Sequence, residues 1–189
     1  VETMVAVPGL GRIGSRFARL VAADGARLVV SDKDIGKIDG FLGSLPPLER
    51  KLVSVLAPYQ MLDVVSDVLC PCAPGAFISE SSAHALKCRV VVGPADGQFH
   101  ADSFEEEKRI AAALFRAGIS CVPEWIVSAG SAIHGLLESA QGSAFDVRTA
   151  VARTQRTCGW LTDEIMQASK RLGRSPIDVA IERVPGRAA

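Results

Sequence analysis

The chain has 189 residues, 48% of them hydrophobic, enough to bury a full core as one domain with a helical appendage. Its 21 basic and 21 acidic residues cancel to a formal charge of zero, which speaks against a nucleic-acid partner and against a charged tail. The longest apolar stretches are strand-length and no signal-peptide pattern opens the chain, so no membrane association is expected and the cytoplasm is the expected location.

The first apolar run, Val5 to Val7, leads straight into Gly9-Leu10-Gly11-Arg12-Ile13-Gly14. Between a strand and a helix, G-x-G-x-x-G is the phosphate-cradling turn of a dinucleotide-binding fold. Gly9 permits the tight turn, Gly11 lets the backbone approach a pyrophosphate, and Gly14 lets the helix pack closely on the strand. The N–H groups and positive dipole of the helix start then hold the anion. The string alone is weak, since an ordinary strand–turn–helix can use glycines for packing only. Its context strengthens it. Ile13, Phe17, Leu20 and Val21 recur at helical spacing, Gly25 supplies a stop, and Leu28 to Val30 form a second strand ending at Ser31-Asp32. Asp32 lies about 20 residues past the glycines, where an acidic side chain accepts from the adenosine ribose hydroxyls.

From Lys33 to Pro47, Gly36, Gly40, Gly43 and the Pro46-Pro47 pair leave little room for a long helix. Ser44 and the prolines start a short one through Leu48 to Leu52. Ser54 to Leu56 is a third strand, closed by Pro58, and Asp67 to Cys70 a fourth that ends in Pro71-Cys72-Ala73-Pro74-Gly75. Arg89 to Val92 is a fifth, followed by a Gly93-Pro94 loop. Asp102 or Ser103 with Glu105 or Glu106 forms a capping box, opening a helix that buries Ala111, Leu114 and Phe115. Ile119 to Val122 is a sixth strand, and Pro123 begins a small-residue loop through Gly130. Beyond residue 145 the pattern is wholly helical: Leu161, Ile165, Ala168 and Leu172 recur, Gly173 ends that helix, and Pro176 starts a last short one.

Strands alternating with helices at this spacing predict an α/β fold with a doubly wound, parallel, Rossmann-like sheet over residues 1–144. A C-terminal helical extension follows over 145–189. The loops that leave the carboxyl ends of the strands at Gly9, Cys72, Gly93 and Trp125 should converge on one crevice at the switch point. Cys70, Cys72, Cys88, Cys121 and Cys158 are odd in number and scattered through apolar segments. They read as buried thiols in a reducing compartment. Cys70-Pro71-Cys72 has no second pair to complete a tetrahedral zinc site, so no metal is expected.

Together these motifs resemble the C-terminal, cofactor-binding half of the glutamate/leucine/phenylalanine/valine dehydrogenases, and the branched-chain and aromatic amino-acid members more than glutamate dehydrogenase. The matching segments come in the family's order: the glycine fingerprint at 9–14, Ser31-Asp32, and the loop at 70–75, which is similar to Pro-Cys-Ala-Leu-Gly-Gly. Val-Val-Gly-Pro-Ala-Asp-Gly-Gln-Phe at 91–99 and Val-Pro-Glu-Trp-Ile-Val-Ser-Ala-Gly at 122–130 follow, and Ser175 to Ala180 resembles the final helix entry. The resemblance implies that Gly9, Gly11, Arg12, Ile13 and Gly14 hold the pyrophosphate of NAD and Asp32 its adenosine ribose. It places Cys72, Ala73 and Pro74 on the adenine side, and Gly93, Ala95 and Gly97 with Ser128 on the nicotinamide side. An acid at Asp32 favours NAD over NADP, a preference that Lys33 softens.

Two departures fall at the chemical end. Gly97 replaces an asparagine near the nicotinamide ribose, and Ser128 replaces the asparagine of Asn-Ala-Gly-Gly, whose last glycine is here Ser131. A serine can still make a hydrogen bond, whereas a glycine side chain cannot. The family's substrate lysine and general-base lysine sit in its first half. Lys33, Lys37, Lys51, Lys87, Lys108 and Lys170 lie in polar segments of this sequence, and His84, His100 and His134 are isolated, so no catalytic residue is assigned. The chain enters its first strand near Val1, so the expectation is that the substrate domain is missing from it. Three readings follow: an NAD-binding part of an amino-acid dehydrogenase-like oxidoreductase, working with a substrate domain in the same or another chain; a stand-alone or degenerate module that binds NAD without redox turnover; and a scaffold with an empty crevice. A homo-oligomer stays open.

Overall fold

The computed structural model describes residues 2–75, 78–95 and 97–183. Its elements follow in the order β1 (Met4–Pro8), α1 (Gly14–Ala23), β2 (Arg27–Ser31), α2 (Ile35–Gly43), α3 (Pro47–Arg50), β3 (Val53–Val55), β4 (Val68–Leu69), α4 (Glu80–Ala83), β5 (Val90–Val91), α5 (Phe104–Arg116), β6 (Ser120–Cys121), α6 (Glu124–Val127), α7 (Gly130–Gln141), α8 (Val147–Leu172) and α9 (Pro176–Glu182). Among the described residues the strands form one parallel sheet in the order β3-β2-β1-β4-β5-β6. The order reverses between β1 and β4, which is the switch point of a doubly wound, Rossmann-like α/β fold.

Both faces of the sheet are buried, and the strand sequences show why. Val5, Val7, Leu28 and Val30 face one side, where they pack with Ala18 and Ala22 of α1 and Phe41 of α2. The alternate residues Ala6 and Val29 face the other side, with Ile110, Ala111 and Leu114 of α5. A strand buried on both faces needs an unbroken apolar run, and Val5 to Val7 and Leu28 to Val30 supply it.

The predicted strands all form: β1 and β2 run a residue further at each end than expected, β3 is shifted by one residue, and β4, β5 and β6 are each two residues shorter. Several helical expectations need correction. The glycine-rich stretch after Lys33 folds as the nine-residue α2, because Asp34 caps it by accepting from the Gly36 N–H at 2.9 Å and Phe41, only 2% exposed, anchors it. Each interior glycine costs about 1 kcal/mol relative to alanine, a cost offset by that anchor. On α1 the residues that meet the sheet are Gly14, Ala18 and Ala22, while Ile13 and Leu20 are exposed. Small residues let the helix sit close to the strands. On α5, Ile110 and Ala113 are buried with Ala111 and Leu114, and Phe115 is only half-buried. The loop expected from Pro123 to Gly130 contains the turn of helix α6.

Other local signals fold as read. Ser103 caps α5, accepting from the Glu106 N–H at 3.3 Å. Gly173 ends α8 in the left-handed region at φ 64°, and Ser175 caps α9 with Pro176 in its first turn. Helix α9 is no loose end. Its Ile177 and Ile181 belong to the same core as Ile110, Leu114 and Ile119, so the last helix completes a layer against the sheet.

Candidate functional site

At the carboxyl end of β1 the chain reverses at Gly9, whose φ of 102° suits only glycine. Four backbone and carboxylate contacts hold this turn. The Gly9 N–H donates to the Ser31 carbonyl at 2.7 Å, and the Leu10 N–H donates to Oδ2 of Asp32 at 2.8 Å. From the other side the N–H groups of Cys72 and Ala73 both donate to the Pro8 carbonyl, each at 2.9 Å. The end of β2, the turn and the loop after β4 are therefore one bonded unit.

Side-chain volume is forbidden inside this unit. A Cβ on Gly9 would collide with the Ala73 nitrogen and lie 2.7 Å from the Cys72 carbonyl carbon. One on Gly14 would collide with the Gly9 carbonyl oxygen and lie 2.9 Å from the Cys72 Cβ. Gly11 differs. Among the described residues nothing comes within 4 Å of where its Cβ would sit, and its backbone borders open space. The N-terminus of α1 has no side-chain cap among the described residues.

The open space is a cavity of about 420 Å³ whose lining includes Gly9, Gly11, Asp32, Cys72, Ala73 and Pro74. Those six were singled out in the sequence, and the fold brings them together. Arg12 and Ile13 are exposed in the turn and Gly14 is buried behind it; none of these three lines the cavity. Asp32 has only 8% of its side chain exposed. Its Oδ1 accepts from the Asp34 N–H at 3.0 Å and lies 3.9 Å from the Lys37 Nζ.

The four residues expected on the nicotinamide side do not line this cavity. Gly93 is buried, and a Cβ there would collide with the Pro71 carbonyl oxygen, so the loop after β5 presses on the loop after β4. The Ala95 N–H donates to that same carbonyl at 3.1 Å. Gly97 stands exposed at φ 64°, and its neighbour Asp96 lies outside the described residues. Ser128 is exposed at the end of α6, where its N–H and Oγ both donate to the Glu124 carbonyl, at 2.7 and 2.8 Å.

This ordered set of loops on a doubly wound sheet has counterparts. No family model matches the chain. Leucine dehydrogenase of Thermoactinomyces intermedius is 29% identical over 131 residues, covering 69% of this chain and 32% of that protein. Phenylalanine dehydrogenase of Caldalkalibacillus thermarum is 27% identical over 189 residues, covering 98% of this chain and 47% of that protein.

The chain resembles the cofactor-binding domain of the amino-acid dehydrogenases.

It spans about a third to a half of the length of these relatives. The crystal structure of L-tryptophan dehydrogenase from Nostoc punctiforme superposes with a TM-score of 0.80 over 95% of this chain and half of that one. At 22% identity that likeness is one of fold.

Against that background, Lys33, Lys37 and Pro58 also line the cavity, and the sequence reading missed the last two. Lys37 reaches the site because α2 exists, and Pro58 because the chain turns back after β3. Gln98 was missed as well. It is 2% exposed and donates from Nε2 to the Cys121 sulfur at 3.7 Å, tying the loop after β5 to β6. Among the described residues no cluster of three or more His, Cys, Asp or Glu side chains could hold a metal ion, and no helix is long and apolar enough to cross a membrane.

Proposed function

We propose that this chain is the NAD(H)-binding domain of an amino-acid dehydrogenase-like oxidoreductase, with the substrate supplied from a domain outside it. The observation that carries the reading is the contrast among the three glycines. Gly9 and Gly14 are closed to any side chain, while among the described residues Gly11 lies open on the cavity beside a helix start with no side-chain cap. That contrast is what a pyrophosphate resting on the backbone requires.

In this reading Gly9, Gly11, Arg12, Ile13 and Gly14 form the pyrophosphate cradle, and Asp32 accepts from the adenosine ribose with its remaining lone pairs. Cys72, Ala73 and Pro74 wall the adenine side. Gly93, Ala95, Gly97 and Ser128 stand toward the nicotinamide, where the cofactor's chemistry is to accept hydride from an amino-acid α-carbon. The chain's own task is to bind and aim. Residues 1–144 carry this site, and residues 145–189 form the helical extension. Asp32 disfavours a 2′-phosphate by charge, and Lys33 and Lys37 act against it.

Calorimetric titration with NAD and NADP tests the proposal, with Gly11→Val as the informative variant. Expected is saturable NAD binding that Gly11→Val abolishes while its thermal melt stays at the parent value. Absence of binding by the parent chain would remove the reading. NADP binding as tight as NAD would mean that the two lysines outweigh Asp32.

A further inference from the structure

We propose that Cys70 and Cys72 form a redox modification site for low-molecular-weight disulfides of the glutathione class, and that the Cys70–Cys72 bond they produce closes the dinucleotide cavity by displacing the glycine turn. The inference rests on the cavity being the dinucleotide site.

The sulfurs are already 3.7 Å apart. Two residues of extended chain through a proline span about 6.2–6.6 Å between Cα atoms, within the range that disulfides bridge. The two thiols have different access. Cys70 is 3% exposed and sits in the core with Ala18, Leu28 and Val30, whereas Cys72 is half-buried and lines the cavity. Cys72 therefore meets the reagent, and Cys70 resolves the product.

The exchange balances without a further reactant. The Cys72 thiolate attacks one sulfur of oxidised glutathione, forming a mixed disulfide and expelling one glutathione thiolate, which takes up the proton that Cys72 released. Cys70 then loses its proton, and its thiolate attacks the Cys72 sulfur. The second glutathione leaves and takes that proton. Two cysteine thiols are oxidised and one glutathione disulfide is reduced to two thiols. In the free pair the Cys70 thiol is held far above its ordinary range, first by its hydrogen bond with Cys72, then by burial and by the Cys72 charge.

Closing the gap to the ordinary S–S length moves the sulfurs together by about 1.7 Å. Cys72 is packed closely on the glycine turn: a Cβ on Gly9 would lie 2.7 Å from its carbonyl carbon, one on Gly14 would lie 2.9 Å from its Cβ, and its N–H is bonded to the Pro8 carbonyl. A shift at Cys72 is delivered to the cradle directly.

The full chain is equilibrated in glutathione buffers of increasing oxidation, alkylated, and mapped by peptide mass spectrometry. Expected is a peptide lighter by two hydrogens in which Cys70 and Cys72 both escape alkylation, restored by dithiothreitol. Cys70→Ser should stop instead at a glutathione adduct on Cys72. Amide hydrogen exchange over residues 9–14 should quicken on oxidation, and NAD affinity should fall about tenfold or more. A pair that never closes at any glutathione ratio overturns the site. A pair that closes with unchanged exchange over 9–14 overturns the coupling. If the reduced chain binds no NAD, the proposed function fails, and the mass and exchange readouts still decide this inference alone.

Discussion

The two ends of the crevice are built differently. At the end proposed for the adenosine, β1, β2 and the loop after β4 are cross-bonded through Gly9, Leu10, Pro8 and Asp32, and two glycines there admit no side chain. At the end proposed for the nicotinamide, Gly97 and Ser128 are exposed, and among the described residues the Ser128 hydroxyl donates to the Glu124 carbonyl in the preceding turn of its own helix. One end is shaped by this chain's own packing. The other presents short residues on an open surface.

Substituting glycines should expose that difference most sharply. Gly14→Val places a side chain against the Gly9 carbonyl and the Cys72 Cβ, and should cost about 3 kcal/mol in a denaturant melt. Gly97→Asn has open space around it among the described residues and a left-handed backbone that asparagine tolerates. It should stay within about 0.5 kcal/mol of the parent. Similar losses for the two would erase the distinction between the ends.

Asp32 gives the next largest effect. Because it accepts from the N–H of Leu10, a residue only 3% exposed, Asp32→Ala strands a buried donor and should cost about 1–3 kcal/mol before any ligand is added. Asp32→Asn keeps one carbonyl acceptor and should lose less. Equal stability of the parent and Asp32→Ala in chemical denaturation would make Asp32 a ligand-binding residue alone. Nucleotide affinities of these variants need correcting for the damaged turn, which is why Gly11→Val is the cleaner probe of binding.

The bond from Leu10 to Asp32 marks where the sequence stops being readable. The position of Asp32 after β2 is a local fact and was found. Its bond to Leu10 joins residues that meet only once the sheet has formed. The strands were legible because a doubly covered sheet demands continuous apolar runs, and the Ser103, Gly173 and Pro176 boundaries because helix ends are decided within a few residues. Helix α2 was underread because Gly36, Gly40 and Gly43 lower local propensity, whereas Phe41 earns its place through tertiary burial. Without α2, the approach of Lys37 to the cavity could not be foreseen. The burial of α9 against α5 was hidden in the same way. Of the residues expected to hold a cofactor, the fold gathers Gly9, Gly11, Asp32 and the 72–74 loop at one cavity, because they follow the carboxyl ends of the neighbouring strands β1, β2 and β4. The placing of Gly97 and Ser128 depends on loops whose paths no short pattern encodes.

A smaller test concerns pH and compares the cores beneath the two ends. Burial raises the Cys88 thiol, which packs on the core beneath β5, from 9.0 to about 11. The unfolded chain then releases this proton before the folded one does. Stability from this group is full below pH 9 and is lost as pH rises toward 11. Cys88→Ser should flatten that part of the stability profile by less than about 1 kcal/mol, since the thiol is only partly buried. Cys70 lies under the other end and is also raised, chiefly through its neighbour Cys72. Substituting Cys72 should lower the pH at which Cys70 reacts with an alkylating agent, while substituting Cys88 should leave it unchanged. If both substitutions shift Cys70 alike, the two ends share one electrostatic environment, and the independence argued from their packing is lost.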